Sequence, residues 1–270
     1  MAQNLTLPLR VIFLSNGGIF PHILLRELLA VPDLKFVGII LSNRVFYKKC
    51  NFISGAFRFF VCCGVFYTVY IWLITTLAEF VGLFTKTGSL KFLAKKYHIP
   101  LLKTRDVNSA VATDFIRNLK PDLLLSAHFD QLLRPPLCDG QEFAAVNIHP
   151  SKIPEYKGLE PVIYALLNQE SHVSVTLHRT STTFDSGNII DAATIKHLPE
   201  ESVFAITCRL MHLASSIFKI SIPNILDRNS GTPQSDSGSY NSWPDPQSIR
   251  RLYKMKIPLI RISELALFFK

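Results

Sequence analysis

Between Arg58 and Glu79 the chain carries no charged residue: "FFVCCGVFYTVYIWLITTLA" runs from Phe59 to Ala78. An apolar run of about 20 residues is long enough to cross a bilayer as a helix. It therefore allows two architectures: a span that separates its flanks, or a greasy segment carried by a domain that stays on one side. The flanks choose between them. Before the run, "LRVIFLS" (9–15) is a short apolar stretch ended by "NGG", then "FPHILLRELLAV" has helical spacing and "KFVGIILS" (35–42) is a second apolar stretch. This is a β-turn-α-β opening, which favours a parallel, doubly wound sheet. After it, "SLKFLAKKYHI" reads as a helix with Ser89 as N-cap, "PLLKT" as a short strand, "VNSAVATDFIRNL" as a helix, "PDLLLSA" as a buried strand and "AAVNIHPS" (144–151) as another. A single crossing would put the first β-α-β unit on the far side of the membrane from the strands that must complete its sheet. The run is therefore expected as one or two helices inserted at about residues 51–84. The basic "NRVFYKKCN" before it and Lys86 after it suit a helix lying in a headgroup region. A buried helix or a dimer contact would use the same composition.

Downstream the pattern is loop "KIPEYKGLEP", helix "VIYALLNQ", alternating strand "HVSVTLHR", turn "TSTTFDSG", strand "NIIDAATI" and a long helical segment 201–226. "DRNSGTPQSDSGSYNSWPDPQ" is rich in Ser, Pro, Gly and Asp, as a linker would be. The chain thus divides into a catalytic-type α/β domain at 1–228 and a linker with a basic, apolar tail at 229–270. That tail suits an interfacial helix, and docking onto the core would need a similar composition.

The 29 Lys and Arg against 20 Asp and Glu leave a charge of +9, which favours anionic lipid, nucleic acid or phosphorylated substrates and equally serves solubility. Five cysteines (Cys50, Cys62, Cys63, Cys138, Cys208) include no C-x-x-C pair and no metal-ligand spacing with histidine. A reducing compartment fits, and no metal is expected. Cys62 and Cys63 suit lipidation at a membrane face or burial as apolar thiols. The first residues lack the features of a signal peptide, so the expectation is a cytoplasmic protein, peripheral on the inner membrane face.

Chemistry concentrates in "VNIHPSKIPEYKG" (146–158) and "TLHRTSTTFDSGNII" (176–190). Asn147 and His149 are two apart on a strand and so share a face. They stand at its C-terminal end, where open α/β sheets bind ligands. Asp185 lies in a later turn that could approach them. An amide donor, an imidazole and a carboxylate to orient it make a catalytic constellation.

Asn-x-His-Pro-Ser, the "SKIPEYKG" loop and an Asp-x-Gly 36 residues after His149 resemble the formyltransferases that use 10-formyltetrahydrofolate. Lys152 and Ile153 replace the family's usual Leu-Leu, and Thr182 and Thr183 stand where acidic and glycine residues are common. The resemblance spans roughly residues 9–225. It implies a Rossmann-like formyltransferase fold and formyl transfer from 10-formyltetrahydrofolate to a primary amine, without a metal. It gives Asn147 and protonated His149 as donors to the developing oxyanion, and Asp185 as the group that keeps the imidazole oriented and charged. Removing one such donor typically costs about 2.7–4 kcal/mol of transition-state stabilisation. It also places Gln131, Leu132 and Leu133, with Phe184, around the pterin. Asn16, Gly17 and Gly18 of "SNGG", a loop suited to cradle an anion, fall on the amine side with Ser151, Tyr156 and Gly158. The other histidines, His178 among them, read as structural or surface residues.

The acceptor implied is a small or membrane-presented amine, such as a nucleotide- or lipid-linked amino sugar. About 45 residues follow the long helix without a strand-turn pattern, which argues against methionyl-tRNA and makes nucleic acid an unexpected partner. The alternatives that stay open are a methionyl-tRNA formyltransferase lacking the family's usual C-terminal domain and a glycinamide ribonucleotide formyltransferase. A formyltetrahydrofolate hydrolase and a non-enzymatic binding module are the remaining readings.

Overall fold

A computed structural model describes residues 8–44, 52–77, 79, 80, 82, 89–138, 142–235 and 238–264. The outer ends of the expected insertion, Cys50, the basic flanks Lys48, Lys49 and Lys86, and tail residues 265–270 lie outside these.

Strand β1 (Leu9–Ser15) is buried on both faces, as expected for a central parallel strand. Its alternation divides two cores. Val11 and Phe13 point into the larger one, Ile12 and Leu14 into the smaller. Helix α1 (Ile19–Leu28) returns the chain to β2 (Leu34–Ser42), and β3 (Leu101–Thr104), β4 (Leu123–Ala127) and β5 (Ala144–His149) follow. β7 (His172–Arg179) and β8 (Ile189–Lys196) complete a seven-stranded sheet in the order β3-β2-β1-β4-β5-β7-β8. The first five strands pair in parallel, β7 pairs antiparallel with β5, and β8 pairs antiparallel with β7. The strand order reverses between β1 and β4, so a crevice opens at their C-terminal ends. Asn16 N–H donates to the His128 carbonyl at 2.9 Å, tying together the two loops that border it.

α3 (Leu90–Lys96) starts where the sequence sets it, with the Ser89 hydroxyl accepting from Phe92 N–H. α4 (Ala110–Asn118) covers the smaller core with Ile116. α5 (Pro161–Leu167) and the long α6 (Val203–Ile220), followed by α7 (Ile222–Leu226), pack into the larger core.

The apolar run forms α2 (Phe52–Trp72), kinked at Gly64 (φ 80°), and continues as a π-helical turn (Leu73–Leu77). Phe59, Cys63, Tyr67, Tyr70, Ile71 and Ile74 repeat every three or four residues and are buried in the larger core. The helix therefore lays one face along the domain. Of the paired cysteines, Cys63 is buried, its thiol pushed up to about 12 by desolvation, and Cys62 is exposed.

The region read as a linker folds back. β9 (Ser239–Asn241) pairs in parallel with β6 (Tyr156–Gly158), inside the stretch read as a loop. Next, α8 (Pro246–Lys254) packs on α2 and α5. Trp243 packs edge-on against Phe59 at 5.1 Å. Buried Ile249 and Leu252 dock this helix onto the core, an outcome the amphipathic composition alone did not choose.

Candidate active site

β5 carries Asn147 and His149 to the C-terminal edge of the sheet, and the turn after β7 brings Asp185 to them. Asp185 Oδ1 lies 3.5 Å from His149 Nδ1 and 3.5 Å from Asn147 Nδ2. Its other oxygen accepts the Gly158 N–H at 2.9 Å. Asp185 adopts φ 52°, a left-handed conformation that Asp tolerates better than most residues. Its pKa is held well below the ordinary carboxylate range. Burial opposes ionisation, but His149, His178 and the Gly158 N–H together outweigh it.

His149 Nε2 is 2.8 Å from the Tyr156 carbonyl. A carbonyl only accepts, so in the neutral ring Nε2 carries the proton and Nδ1 is the basic nitrogen, beside Asp185. Burial lowers the His149 pKa, while Asp185 and the Tyr156 carbonyl pull it back up. The ring thus sits between a dry environment that disfavours its charge and a carboxylate that favours it. It becomes cationic on receiving a proton, and Asp185 then stabilises that charge.

His178 belongs to this cluster, contrary to its reading as a structural or surface residue. It is opposite Asn147 in the β5–β7 pairing and is buried. Its Nδ1 is 2.8 Å from the Arg179 carbonyl, so Nδ1 is the donor and Nε2 accepts from Asn147 Nδ2 at 3.0 Å. The Ser126 hydroxyl donates to Asn147 Oδ1 at 2.8 Å. Together these two contacts fix the amide with its NH2 group facing Asp185. Alternation along "HVSVTLHR" set His178 on one face of its strand, but only the pairing register shows that this face meets Asn147.

The other residues singled out in the sequence divide. Gln131 is buried and fully used, its Oε1 accepting from Val107 N–H at 2.7 Å and its Nε2 donating to Ser42 Oγ and the Thr104 carbonyl. Its side chain braces the loop. Leu133 is in the smaller core, Leu132 is half-buried, and Phe184 is 39% exposed beside Asp185. In the same loop Asp130 Oδ1 and His128 Nε2 are buried with no hydrogen-bond partner among the described residues. An unpaired buried acceptor in this loop fits a pterin, whose ring edge carries N–H donors.

Ser151 donates to the Tyr156 carbonyl at 2.8 Å. The Tyr156 hydroxyl turns away to Glu170, and Gly158 (φ 93°) is spent on Asp185. These three hold the loop under the catalytic groups. Asn16, Gly17 and Gly18 follow β1 as expected, but their cradle is covered. A side chain on Gly18 would meet the Ile74 carbonyl at 2.8 Å, and one on Gly17 would meet the Glu79 carboxylate at 3.2 Å. Glu79 is held there by the Ser89 hydroxyl at 3.0 Å and by Lys91. The loop thus carries the protein's own carboxylate and is a poor anion site. Among the described residues no cluster of three or more His, Cys, Asp or Glu side chains is arranged to hold a metal ion.

The sheet order and the Asn147–His149–Asp185 cluster define a formyltransferase-type α/β fold, and the comparisons agree. The formyl transferase family model matches residues 82–221, and the chain belongs to that family, whose members use 10-formyltetrahydrofolate. The methionyl-tRNA formyltransferase of Staphylococcus epidermidis is 30% identical over 149 residues, 55% of this chain and 48% of that protein. The chain thus aligns with about half the length of the curated relatives it matches first. WlaRD, a sugar 3N-formyl transferase crystallised in the presence of dTDP and 5-N-formyl-THF, superposes with a TM-score of 0.56 at 19% identity, covering 94% of this chain and 83% of that one. Phosphoribosylglycinamide formyltransferase from Anaplasma phagocytophilum gives 0.56 at 18%, covering 87% and 100%. At these identities the structural matches speak for the fold.

Proposed function

We propose that this chain transfers the formyl group of 10-formyltetrahydrofolate to a primary amine, borne by a nucleotide- or lipid-linked amino sugar. The observation that carries the reading is the convergence of Asn147, His149 and Asp185 at the sheet's C-terminal edge, with the amide locked by Ser126 and His178. The donor, when bound, supplies an activated formyl carbonyl between the 128–134 loop and Phe184. The Asn147 N–H that makes only the long 3.5 Å contact with Asp185 turns to the carbonyl oxygen as charge builds on it, a contact whose loss costs about 2.7–4 kcal/mol. Neutral His149 takes the proton of the attacking amine on Nδ1 and passes it toward the leaving nitrogen. Ionised Asp185 orients the ring and stabilises the imidazolium.

Two features support a small acceptor. Tyr240 on β9 is close enough to Asp185 to sense its charge, and Glu79 sits at the Gly17 loop. Both narrow the approach to the crevice. The sugar transferase named above also covers nearly the whole chain. A cytoplasmic setting, peripheral to the inner membrane face, goes with this reading.

The test incubates the full chain with 10-formyltetrahydrofolate and a panel: nucleotide-linked 4-amino sugars, aminolipids, phosphoribosylglycinamide and methionyl-tRNA, with product read by mass. Formylated amino sugar or aminolipid is the expected result. Preferential formylation of methionyl-tRNA or phosphoribosylglycinamide would overturn the acceptor, and release of formate alone would replace transfer with hydrolysis.

A further inference from the structure

We infer that α2 and α8 form one docking surface for an anionic phospholipid membrane, with α2 lying in the plane of the headgroups. The inference builds on the membrane setting proposed above and names the surface and the lipid class.

The outward face of α2 is also largely apolar, with exposed Arg58 as its one charge among the described residues. Ile53, Phe57, Val61, Phe66, Val69 and Trp72 are all exposed, Ile53 to 80% and Phe57 to 67%, and no acidic residue occurs between Phe52 and Leu77. With the opposite face committed to the core, this stripe forms a continuous exposed apolar surface of a kind that marks an interaction site. At Gly64 the backbone bends, and the missing side chain lets α8 approach; a Cβ there would be 3.3 Å from Pro246. Exposed Phe66 and exposed Tyr253 then meet with ring centroids 5.9 Å apart, so the apolar stripe runs into α8 without a break. That helix presents Arg250, Arg251 and Lys254 outward and has no acidic residue from Pro246 to Lys254.

An apolar band rimmed by cations and aromatic rings has the composition of an interfacial surface. Each basic side chain near an anionic leaflet contributes about 1 kcal/mol. A second copy of the chain explains the surface less well. A two-fold contact across α2 would bring a second set of the same cations toward the first, without the acidic partners that complementarity requires.

The π-helical end of α2 reaches the Gly17–Gly18 loop, at the same sheet edge that carries Asn147 and His149. Docking through α2 therefore sets the catalytic crevice next to the lipid surface.

The experiment sediments the full chain with phosphatidylcholine vesicles, with and without phosphatidylglycerol, at low and high salt. Wild type is expected to pellet with the phosphatidylglycerol vesicles and to be partly released by salt. Phe57→Ser/Val61→Ser/Val69→Ser alters only exposed side chains; it should keep its thermal melt and lose about ten-fold or more in partitioning. Arg250→Glu/Arg251→Glu should weaken binding to the anionic vesicles alone. Wild type that stays in the supernatant with both vesicles overturns the inference. So does a wild-type dimer that the triple variant converts to monomer while vesicle binding is unchanged, since a second copy then covers the face. Binding is read without turnover, so inactivity toward every amine would sink the formyl-transfer reading and leave this one standing.

Discussion

Replacing Asn147 with alanine separates the catalytic and structural roles of one amide. Its Nδ2 is 3.0 Å from His178 Nε2 and 3.5 Å from Asp185 Oδ1, and its Oδ1 accepts from Ser126. Removing the side chain takes one N–H from the developing oxyanion, which lowers kcat by about 10²–10³-fold, equivalent to 2.7–4 kcal/mol. The structural cost is separate. Ser126 keeps the Val146 carbonyl at 3.2 Å, but buried His178 Nε2 loses the donor it accepts from, an omission worth about 1–3 kcal/mol of stability. Chemical denaturation should report that second figure, and tetrahydrofolate release with the best acceptor of the panel should report the first. A double-mutant cycle with His178→Ala tests the positioning argument. If His178 acts by aiming the amide, its loss slows wild type but adds almost nothing in the Asn147→Ala background. An Asn147→Ala enzyme within about three-fold of wild type would refute the donor role. Rate losses that multiply across the cycle would refute the positioning role.

Three further outcomes follow from the geometry. Asp185 has a depressed folded pKa, so its stabilisation is full above the ordinary 3.8 and fades as pH falls through the folded value. The melting-temperature advantage of wild type over Asp185→Asn should therefore be constant at neutral pH and shrink only below about 3.8; a gap that widens with acid would contradict it. Glu160 behaves oppositely. Packed against Tyr67, its carboxyl is raised from 4.5 to about 7 by burial. The folded chain keeps a proton that the unfolded chain releases, so stability should fall as pH rises across that interval and level off above it, and Glu160→Gln should flatten the slope in a melting series. Gly158→Ala adds a Cβ 2.2 Å from the Asn241 carbonyl at φ 93°. The strain of the left-handed backbone alone costs about 1–3 kcal/mol, and the denaturation midpoint should drop while Asp185 loses its N–H; an unchanged midpoint would show that β6 and β9 do not pair in solution.

The path from sequence to site was short where local chemistry sufficed. Alternation along "VNIHP" put Asn147 and His149 on one face, and the turn residues around Asp185 and Gly187 marked a loop that could reach them. The same reasoning passed over His178, because a histidine on a strand acquires a role only from the residue paired with it. Gln131 illustrates the converse. Its place in the chain suggested a pocket wall, and its side chain makes three hydrogen bonds that brace the loop, which no sequence pattern announced. The Gly17–Gly18 loop looked open in sequence, and a segment some 60 residues downstream closes it with Ile74 and Glu79.

By itself the sequence determined the β-α-β opening and the mostly parallel sheet, since apolar periodicity and sheet closure are properties of local pattern and chain connectivity. The tertiary structure decided the rest. It showed that α2 commits one apolar face to the core and leaves the other bare, that 239–254 returns to the site as strand and helix, and that His178 is paired opposite Asn147. Each of these depends on which surfaces meet and which groups lose water, and those are set by contacts between residues far apart in the chain.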